Sequence, residues 1–117
     1  MSTHFTVFVP AYNCVNWVKS NIDSITRQGY EDYQLFYVDD CSTDGTYEEA
    51  ERILSSSKID YKLYKNSFNK GKAYNLVHYI NKLPEETVVV VVDGDDWLAN
   101  EHVLSHLDKV YNDDVWM

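Results

Sequence analysis

The sequence contains little cysteine, glycine, proline or positive charge. Its two cysteines, Cys14 and Cys41, form neither a CxxC pair nor a disulfide framework, so we expect reduced thiols in a cytoplasmic protein. Ten basic residues against 19 acidic ones give a net charge of -9, which argues against a nucleic-acid-binding surface. No apolar run approaches the roughly 20 residues of a membrane span, and the first residues lack the zones of a signal peptide.

Several common phosphate-binding and metal-binding motifs are absent too. There is no GxGxxG, so the dinucleotide fingerprint is missing. The Gly71-Lys72 pair lacks both the upstream glycine and the following Ser or Thr of a Walker A loop. An EF-hand loop starting at Asp93 would need a glutamate where this chain has Leu104. These absences exclude three frequent classes of site.

What remains is the composition of one folded domain. Hydrophobic residues make up 44% of the chain and charged residues 25%, which are ordinary globular values. A chain of 117 residues is long enough for one core. We therefore treat residues 1–117 as a single domain, short for an enzyme with two substrates.

The most informative stretch is TVVVVVDGDDW at residues 87–97. Five consecutive valines at 88–92 predict a buried parallel strand, because the run is too short for a helix and too apolar for a half-exposed strand. Asp93, Asp95 and Asp96 follow at once, at the edge where open α/β sheets bind ligands. Carboxylates there repel a phosphorylated ligand unless a cation lies between them. The stretch thus predicts a divalent-metal and nucleotide-phosphate site.

The order of predicted elements is strand then helix, repeated four times. Predicted strands lie at 5–9, 33–38, 59–64 and 88–92, and Asn13 is expected to cap the first helix. We expect the third helix to face the core with its apolar residues Ala73, Leu76, Val77 and Ile80. This order predicts an α/β fold with a doubly wound, mostly parallel, Rossmann-like sheet. Because the third strand alternates, it is placed at an edge, which gives the strand order 3-2-1-4.

That order leaves the valine strand at the opposite edge of the sheet. A strand of this composition is normally buried on both faces and paired with a strand on each side. We therefore expect self-association or a partner along residues 88–92, supplied by a second subunit or by a longer chain.

Four loops, each at the carboxyl end of a predicted strand, together resemble those of the GT-A glycosyltransferases, in particular the inverting family 2. The resemblance rests on VPAYN at 9–13, VDDCSTDGT at 38–46, NKGKAYNL at 69–76 and DGDDWL at 93–98. Each motif alone is weak, but all four in this order are specific. The resemblance covers nearly the whole chain, but only the amino-terminal, nucleotide-binding half of such a domain.

The resemblance implies a nucleotide-sugar donor, most simply a UDP-sugar, and a set of residues around it. The expected nucleotide-binding residues are Pro10, Ala11, Tyr12, Asn13, Asp39, Asp40, Lys70, Lys72, Asp93 and Gly94. A carboxylate of Asp39 or Asp40 can accept a hydrogen bond from a uracil N–H, and the sequence leaves open which one does so. Turn capping is an equally good role for one of the pair.

In the same family Asp93 corresponds to an acid on the ribose side and Asp95 to a metal ligand, so both are candidate ligands. Hard carboxylate oxygens suit Mn²⁺ or Mg²⁺, which takes one or two protein carboxylates together with substrate phosphates. Lys70 and Lys72 begin a helix, where positive charge and free N–H groups favour the diphosphate.

Two functions remain open at the level of sequence. The first is metal-dependent transfer of a sugar to an acceptor hydroxyl with inversion, although neither the acceptor nor a general base can be assigned. The second is a module that binds a nucleotide or nucleotide sugar without transferring it. A phospho-acceptor regulatory domain shares the layout but places its acids on other strands.

Overall fold

The structure is a computed structural model that describes residues 3–112. Its elements follow in the order β1 (Phe5–Ala11), a 3₁₀ turn (Val15–Trp17), α1 (Val18–Thr26), β2 (Tyr33–Asp39), α2 (Thr46–Ser55), β3 (Tyr61–Lys65), α3 (Lys72–Ile80), β4 (Val88–Val91) and α4 (Val103–Asn112). Each parallel strand is followed by a helix, as the sequence pattern predicts. Within residues 3–112 no helix is both long and apolar enough to cross a bilayer.

The four strands form one parallel sheet in the order β3-β2-β1-β4. The predicted fold class and strand order are therefore confirmed. β1 and β2 occupy the centre and are buried along their whole length. All four strand ends, and the loops that follow them, point to the same edge of the sheet because the strands are parallel.

Alternation along β1 supplies both faces of the sheet with core residues. On one face Phe5, Val7 and Val9 pack with apolar residues of α1, α2 and α4. On the other face Phe8 packs with Tyr79 of α3 in a smaller cluster. The sheet is thus covered by three helices on one side and by one helix on the other.

The valine strand is shorter and less buried than its composition suggests. β4 consists of Val88–Val91, and its residues are half-buried except for Val91, which is 43% exposed. It pairs with β1 on one side and with no strand among residues 3–112 on the other. The prediction of an edge position is confirmed. The prediction of burial holds only for Val92, which is 6% exposed, because a strand with one neighbour leaves the side chains of Val88–Val91 partly open.

The face of α3 that meets the sheet matches the predicted one only in part, since Leu76 packs against the core cluster as expected. Asn75 and Tyr79 are the buried residues of this helix, whereas Ala73 is exposed and Val77 is 67% exposed. The centroids of the Tyr79 and Tyr64 rings are 4.7 Å apart. This aromatic contact turns the Tyr79 side of the helix toward the sheet, in place of the Val77 side that the apolar spacing predicts. β3 likewise begins at Tyr61 rather than at residue 59.

Candidate functional site

A cavity of about 200 Å³ opens at the carboxyl edge of the sheet. It lies between the ends of β1 and β4 and the start of α3. Its lining residues are Pro10, Ala11, Tyr12, Cys14, Asp40, Lys72, Asn75, Asp93, Gly94 and Asp95. Eight of these ten are residues that the sequence singles out, and Cys14 and Asn75 are additions.

Gly94 lines the cavity at a position where no side chain fits. A Cβ at this position would lie 2.8 Å from Cys14 Sγ and 3.0 Å from Ala11 Cα. The Gly94 amide donates to the Pro10 carbonyl at 3.0 Å. This bond holds residues 93–96, here called the acidic turn, against residues 10–13, the first loop. Burial raises the pKa of the Cys14 thiol, which keeps it neutral in this contact.

A buried side-chain amide on α1 holds the acidic turn by two hydrogen bonds. Asn21 Nδ2 donates to the carbonyl oxygens of Asp93 at 3.1 Å and Asp96 at 2.9 Å. Two further buried polar residues continue this support, Ser24 on the same helix and Gln28 just after its end. Ser24 Oγ accepts from the Leu98 amide at 3.0 Å, and Gln28 contacts the segment that leads into α4.

Three carboxylates of the acidic turn have different surroundings. Asp93 Oδ1 lies 2.6 Å from Lys72 Nζ, and both side chains are partly exposed. Asp95 is exposed at the mouth of the cavity. Asp96 lies outside the cavity lining and accepts from the Trp97 amide at 2.8 Å. Asp95 is therefore the carboxylate with the most freedom to bind a cation, while Asp93 already has a cationic neighbour.

No cluster of three or more His, Cys, Asp or Glu side chains within residues 3–112 is arranged to hold a metal ion. Asp93 and Asp95 nevertheless line one cavity, and one or two carboxylates completed by phosphate oxygens are a usual Mg²⁺ or Mn²⁺ environment. The residues present thus fit an ion that is held jointly by the protein and a diphosphate.

Asp40 is the centre of a hydrogen-bond network in the cavity wall. Its Oδ1 accepts from Asn66 Nδ2 and the Lys70 amide, both at 2.9 Å, and its Oδ2 accepts from the Gly71 amide at 2.8 Å. Burial raises the pKa of this carboxyl, but hydrogen bonds led by the one from Lys70 outweigh it, and the net pKa is lowered. Asp40 is therefore ionised at neutral pH and orders the loop ahead of α3.

Three residues that the sequence predicts for the site lie outside the cavity lining. Asp39 is fully buried, and its Oδ2 accepts from the Ser42 amide at 2.9 Å, which is a turn-capping role. Asn13 does not cap α1, because its Oδ1 accepts from the Thr43 amide instead at 2.8 Å. Lys70 Nζ lies over the rings of two exposed aromatic residues, Phe68 and Tyr74, at 4.9 and 5.3 Å from their centroids.

Sequence reasoning missed the buried amides Asn21 and Asn75. Asn21 lies between the apolar positions Val18, Ile22 and Ile25 of the first helix, and that spacing is the signal that could have identified it. Asn75 lies off the predicted apolar face of the third helix and carried no such signal. A buried amide between apolar helix positions needs hydrogen-bond partners, so it indicates a support for a loop or a ligand.

The sequence model "Glycosyl transferase family 2" matches residues 6–116. The chain belongs to this family.

Bacterial glycosyltransferases are about a third identical to this chain over the aligned residues. The uncharacterized glycosyltransferase MG025 homolog of Mycoplasma pneumoniae is 36% identical over 108 residues, covering 87% of this chain and 36% of that protein. The poly(ribitol-phosphate) beta-N-acetylglucosaminyltransferase TarS of Staphylococcus aureus is 31% identical over 100 residues, covering 83% of this chain and 17% of that protein. The chain thus spans little more than a third, or less, of the relatives that it matches.

Solved structures of glycosyltransferases share the fold. A Pyrobaculum calidifontis mannosyltransferase in complex with GDP-Man and Mn²⁺ matches with a TM-score of 0.87 and 26% identity, over 97% of this chain and 34% of that one. S. aureus TarS in complex with UDP-GlcNAc matches with a TM-score of 0.75 and 28% identity, over 90% of this chain and 30% of that one. The resemblance to a GT-A, family 2 nucleotide-binding half is therefore confirmed.

Proposed function

We propose that this family 2 chain binds the nucleotide-sugar donor of a glycosyltransferase in the cavity at the carboxyl edge of its sheet. The observation that supports this most is the cavity lining, where an ionised acceptor (Asp40), a cation (Lys72) and two further carboxylates (Asp93 and Asp95) converge. This set matches the parts of a nucleoside diphosphate: a base with N–H groups, an anionic diphosphate and a bridging cation.

In this proposal the nucleobase binds beside Asp40, whereas Asp39 caps the turn that follows β2. Asp40 lines the cavity and is 5% exposed, whereas Asp39 is 0% exposed and lies outside the lining. Three of the roughly four acceptor positions of the Asp40 carboxylate are used by the protein, which leaves one on Oδ2 for a base N–H. The ring of Tyr12, which is exposed at the rim, packs against the base.

The diphosphate lies between Lys72 and Asp95. Asp95 holds Mn²⁺ or Mg²⁺ together with phosphate oxygens, and Asp93 binds on the ribose side while its contact with Lys72 positions that ammonium group. The ion, when bound, neutralises charge that develops on the departing nucleoside diphosphate. Lys70 contributes to the site through its backbone amide, which fixes Asp40.

The donor is a UDP-sugar and the reaction is direct displacement by an acceptor hydroxyl, with inversion at the anomeric carbon. The likeness to a structure with UDP-GlcNAc supports a nucleotide-sugar donor, and the one with GDP-Man and Mn²⁺ supports a divalent ion. Direct displacement needs a general base near the acceptor hydroxyl, and we assign that role to no residue of this chain. A transfer or donor-hydrolysis assay separates this function from that of a nucleotide-binding module, which would bind without turnover.

Replacing the proposed metal ligand tests the site directly. Asp95→Ala should abolish the Mn²⁺-dependent part of UDP binding in titration calorimetry, because the exposed Asp95 carboxylate is the group that holds the ion against the diphosphate. Asp60→Ala, which removes an equal charge outside the cavity lining, is the control and should bind as the wild type does. Unchanged UDP affinity of Asp95→Ala in Mn²⁺ would refute the assignment.

A further inference from the structure

Asn75 is a buried polar residue of the cavity wall, and only one end of its side-chain amide makes a hydrogen bond. It lies in the first turn of α3, lines the cavity and is 1% exposed. Its Oδ1 accepts from Asn66 Nδ2 at 2.6 Å, but its Nδ2 has no hydrogen-bond partner among residues 3–112. A buried amide donor without a partner is unfavourable, so native structures seldom keep one unless something else satisfies it.

The orientation of the Asn75 amide is determined by a chain of contacts that starts at Asp40. The carboxylate of Asp40 only accepts, so Asn66 must present Nδ2 to it, at 2.9 Å. The Tyr79 hydroxyl donates to Asn66 Oδ1 at 3.2 Å and confirms that orientation. The second Asn66 N–H then needs an acceptor, which is Asn75 Oδ1. Asn75 Nδ2 is therefore held as a donor and cannot exchange places with the oxygen.

This fixed donor lies next to the Asp40 acceptor. Asn75 is among the groups that lower the pKa of the Asp40 carboxyl against the effect of burial, so its amide lies near that carboxylate, but its Nδ2 makes no hydrogen bond of normal geometry to it. Both side chains line the same cavity. The wall thus presents one free acceptor position and one free donor side by side.

We infer that Asn75 Nδ2 donates to a carbonyl oxygen of the nucleobase and, with Asp40, selects uracil over cytosine. The inference rests on the proposed nucleotide-sugar site and adds a specificity-determining residue to it. A phosphate oxygen is a poorer occupant, because the neighbouring Asp40 carboxylate repels it. A ligand group that carries an N–H beside a C=O satisfies both protein groups, and the imide edge of uracil is such a group.

Cytosine fails at the same position for a definite reason. Where uracil has the N3–H donor, cytosine has a lone pair, which would face the Asp40 carboxylate. Where uracil has the O4 acceptor, cytosine has an amino group, which would face the donor Asn75 Nδ2. A site built to hydrogen-bond one partner rejects the analogue that leaves its buried groups unpaired, so CDP should bind at least about tenfold more weakly than UDP.

The test compares UDP with CDP, each with Mn²⁺, by titration calorimetry on the wild type and on Asn75→Asp. This substitution retains an oxygen that accepts from Asn66 but replaces the donor by a second acceptor. We expect UDP affinity to fall about tenfold or more while CDP affinity is unchanged or improved, so that the preference collapses. Asn81→Asp introduces the same charge at the exposed carboxyl end of α3 and should keep the preference.

The outcomes separate this inference from the proposed function. Wild-type protein that binds no UDP in Mn²⁺ would refute both. Wild-type protein that binds UDP but binds CDP within about twofold of it would refute only the role of Asn75, whether or not Asn75→Asp folds. Equal weakening of both nucleotides in a folded Asn75→Asp would show that Asn75 supports the wall without reading the base.

Discussion

At the scale of single residues, Gly94 shows how closely the acidic turn approaches the first loop. A methyl group there would meet Cys14 Sγ at 2.8 Å and the Ala11 backbone at 3.0 Å. The Ala11 Cα belongs to a central strand and cannot yield without moving the sheet. The position of Asp93 and Asp95 relative to β1 therefore depends on the absence of a side chain between them.

Gly94→Ala should lower the free energy of unfolding by about 1–3 kcal/mol, as overpacking of a tight contact does. It should also weaken Mn²⁺-dependent UDP binding, because the turn must move outward. Denaturant unfolding and calorimetry measure the two effects. Gly29→Ala is the matched control, since its Cβ would meet its nearest neighbour, the Glu101 carbonyl, at an ordinary 3.6 Å. A Gly94→Ala protein with wild-type stability and affinity would contradict this account.

At the scale of elements, α1 is both a core helix and the support of the acidic turn. Its apolar residues Val18, Ile22 and Ile25 pack on the sheet, while Asn21, between them on the buried side, donates to two carbonyl oxygens of the turn. The helix thus couples the packing of the core to the geometry of the proposed metal ligand.

Asn21→Ala should destabilise the protein by roughly 1–3 kcal/mol, because it leaves the buried-side carbonyls of Asp93 and Asp96 without their donor. The loosened turn should also bind UDP and Mn²⁺ more weakly. Chemical denaturation and calorimetry check both effects. Asn16→Ala, at an exposed position just before α1, should change neither. Loss of stability without any loss of Mn²⁺-dependent binding would show that α1 does not position the turn.

At the scale of the whole molecule, the two edge strands of the sheet differ in composition. At one edge β3 carries two lysines, whereas at the other edge β4 consists of valines. On the neighbouring helix α3, Val77 is exposed as well. Unpaired backbone groups on a β-branched edge strand can pair with another chain. We propose that a second copy or another partner pairs along β4.

The wild-type chain should therefore gain mass with concentration in light scattering, and Val91→Lys should suppress that gain, because a charged residue at the edge opposes strand pairing. Val77→Lys adds the same charge on α3, away from the strand edge, and should leave the association in place. A clean monomer at high concentration would contradict the proposal. Suppression by Val77→Lys alone would assign the contact to α3 instead.

Local pattern in the sequence was sufficient for the architecture. Strand and helix alternate in the order in which the apolar periods alternate, and the strand order 3-2-1-4 follows from one alternating strand and the rules for parallel sheets. The family was likewise readable from four loop motifs, since the parallel arrangement brings all strand ends to one edge. Eight of the predicted site residues line the cavity for the same reason.

Only the tertiary structure decided what individual side chains do. Asp39 and Asp40 are neighbours in sequence, but successive residues at a strand end point to opposite sides, so one is buried in a turn and the other faces the cavity. Asn75 and Tyr79 turn inward on α3 because partners from β3 and from the loop after it, Tyr64 and Asn66, are there to receive them. Periodicity records which positions are apolar, whereas hydrogen bonds and ring contacts depend on residues far apart in the chain, and those partners exist only once the sheet has formed.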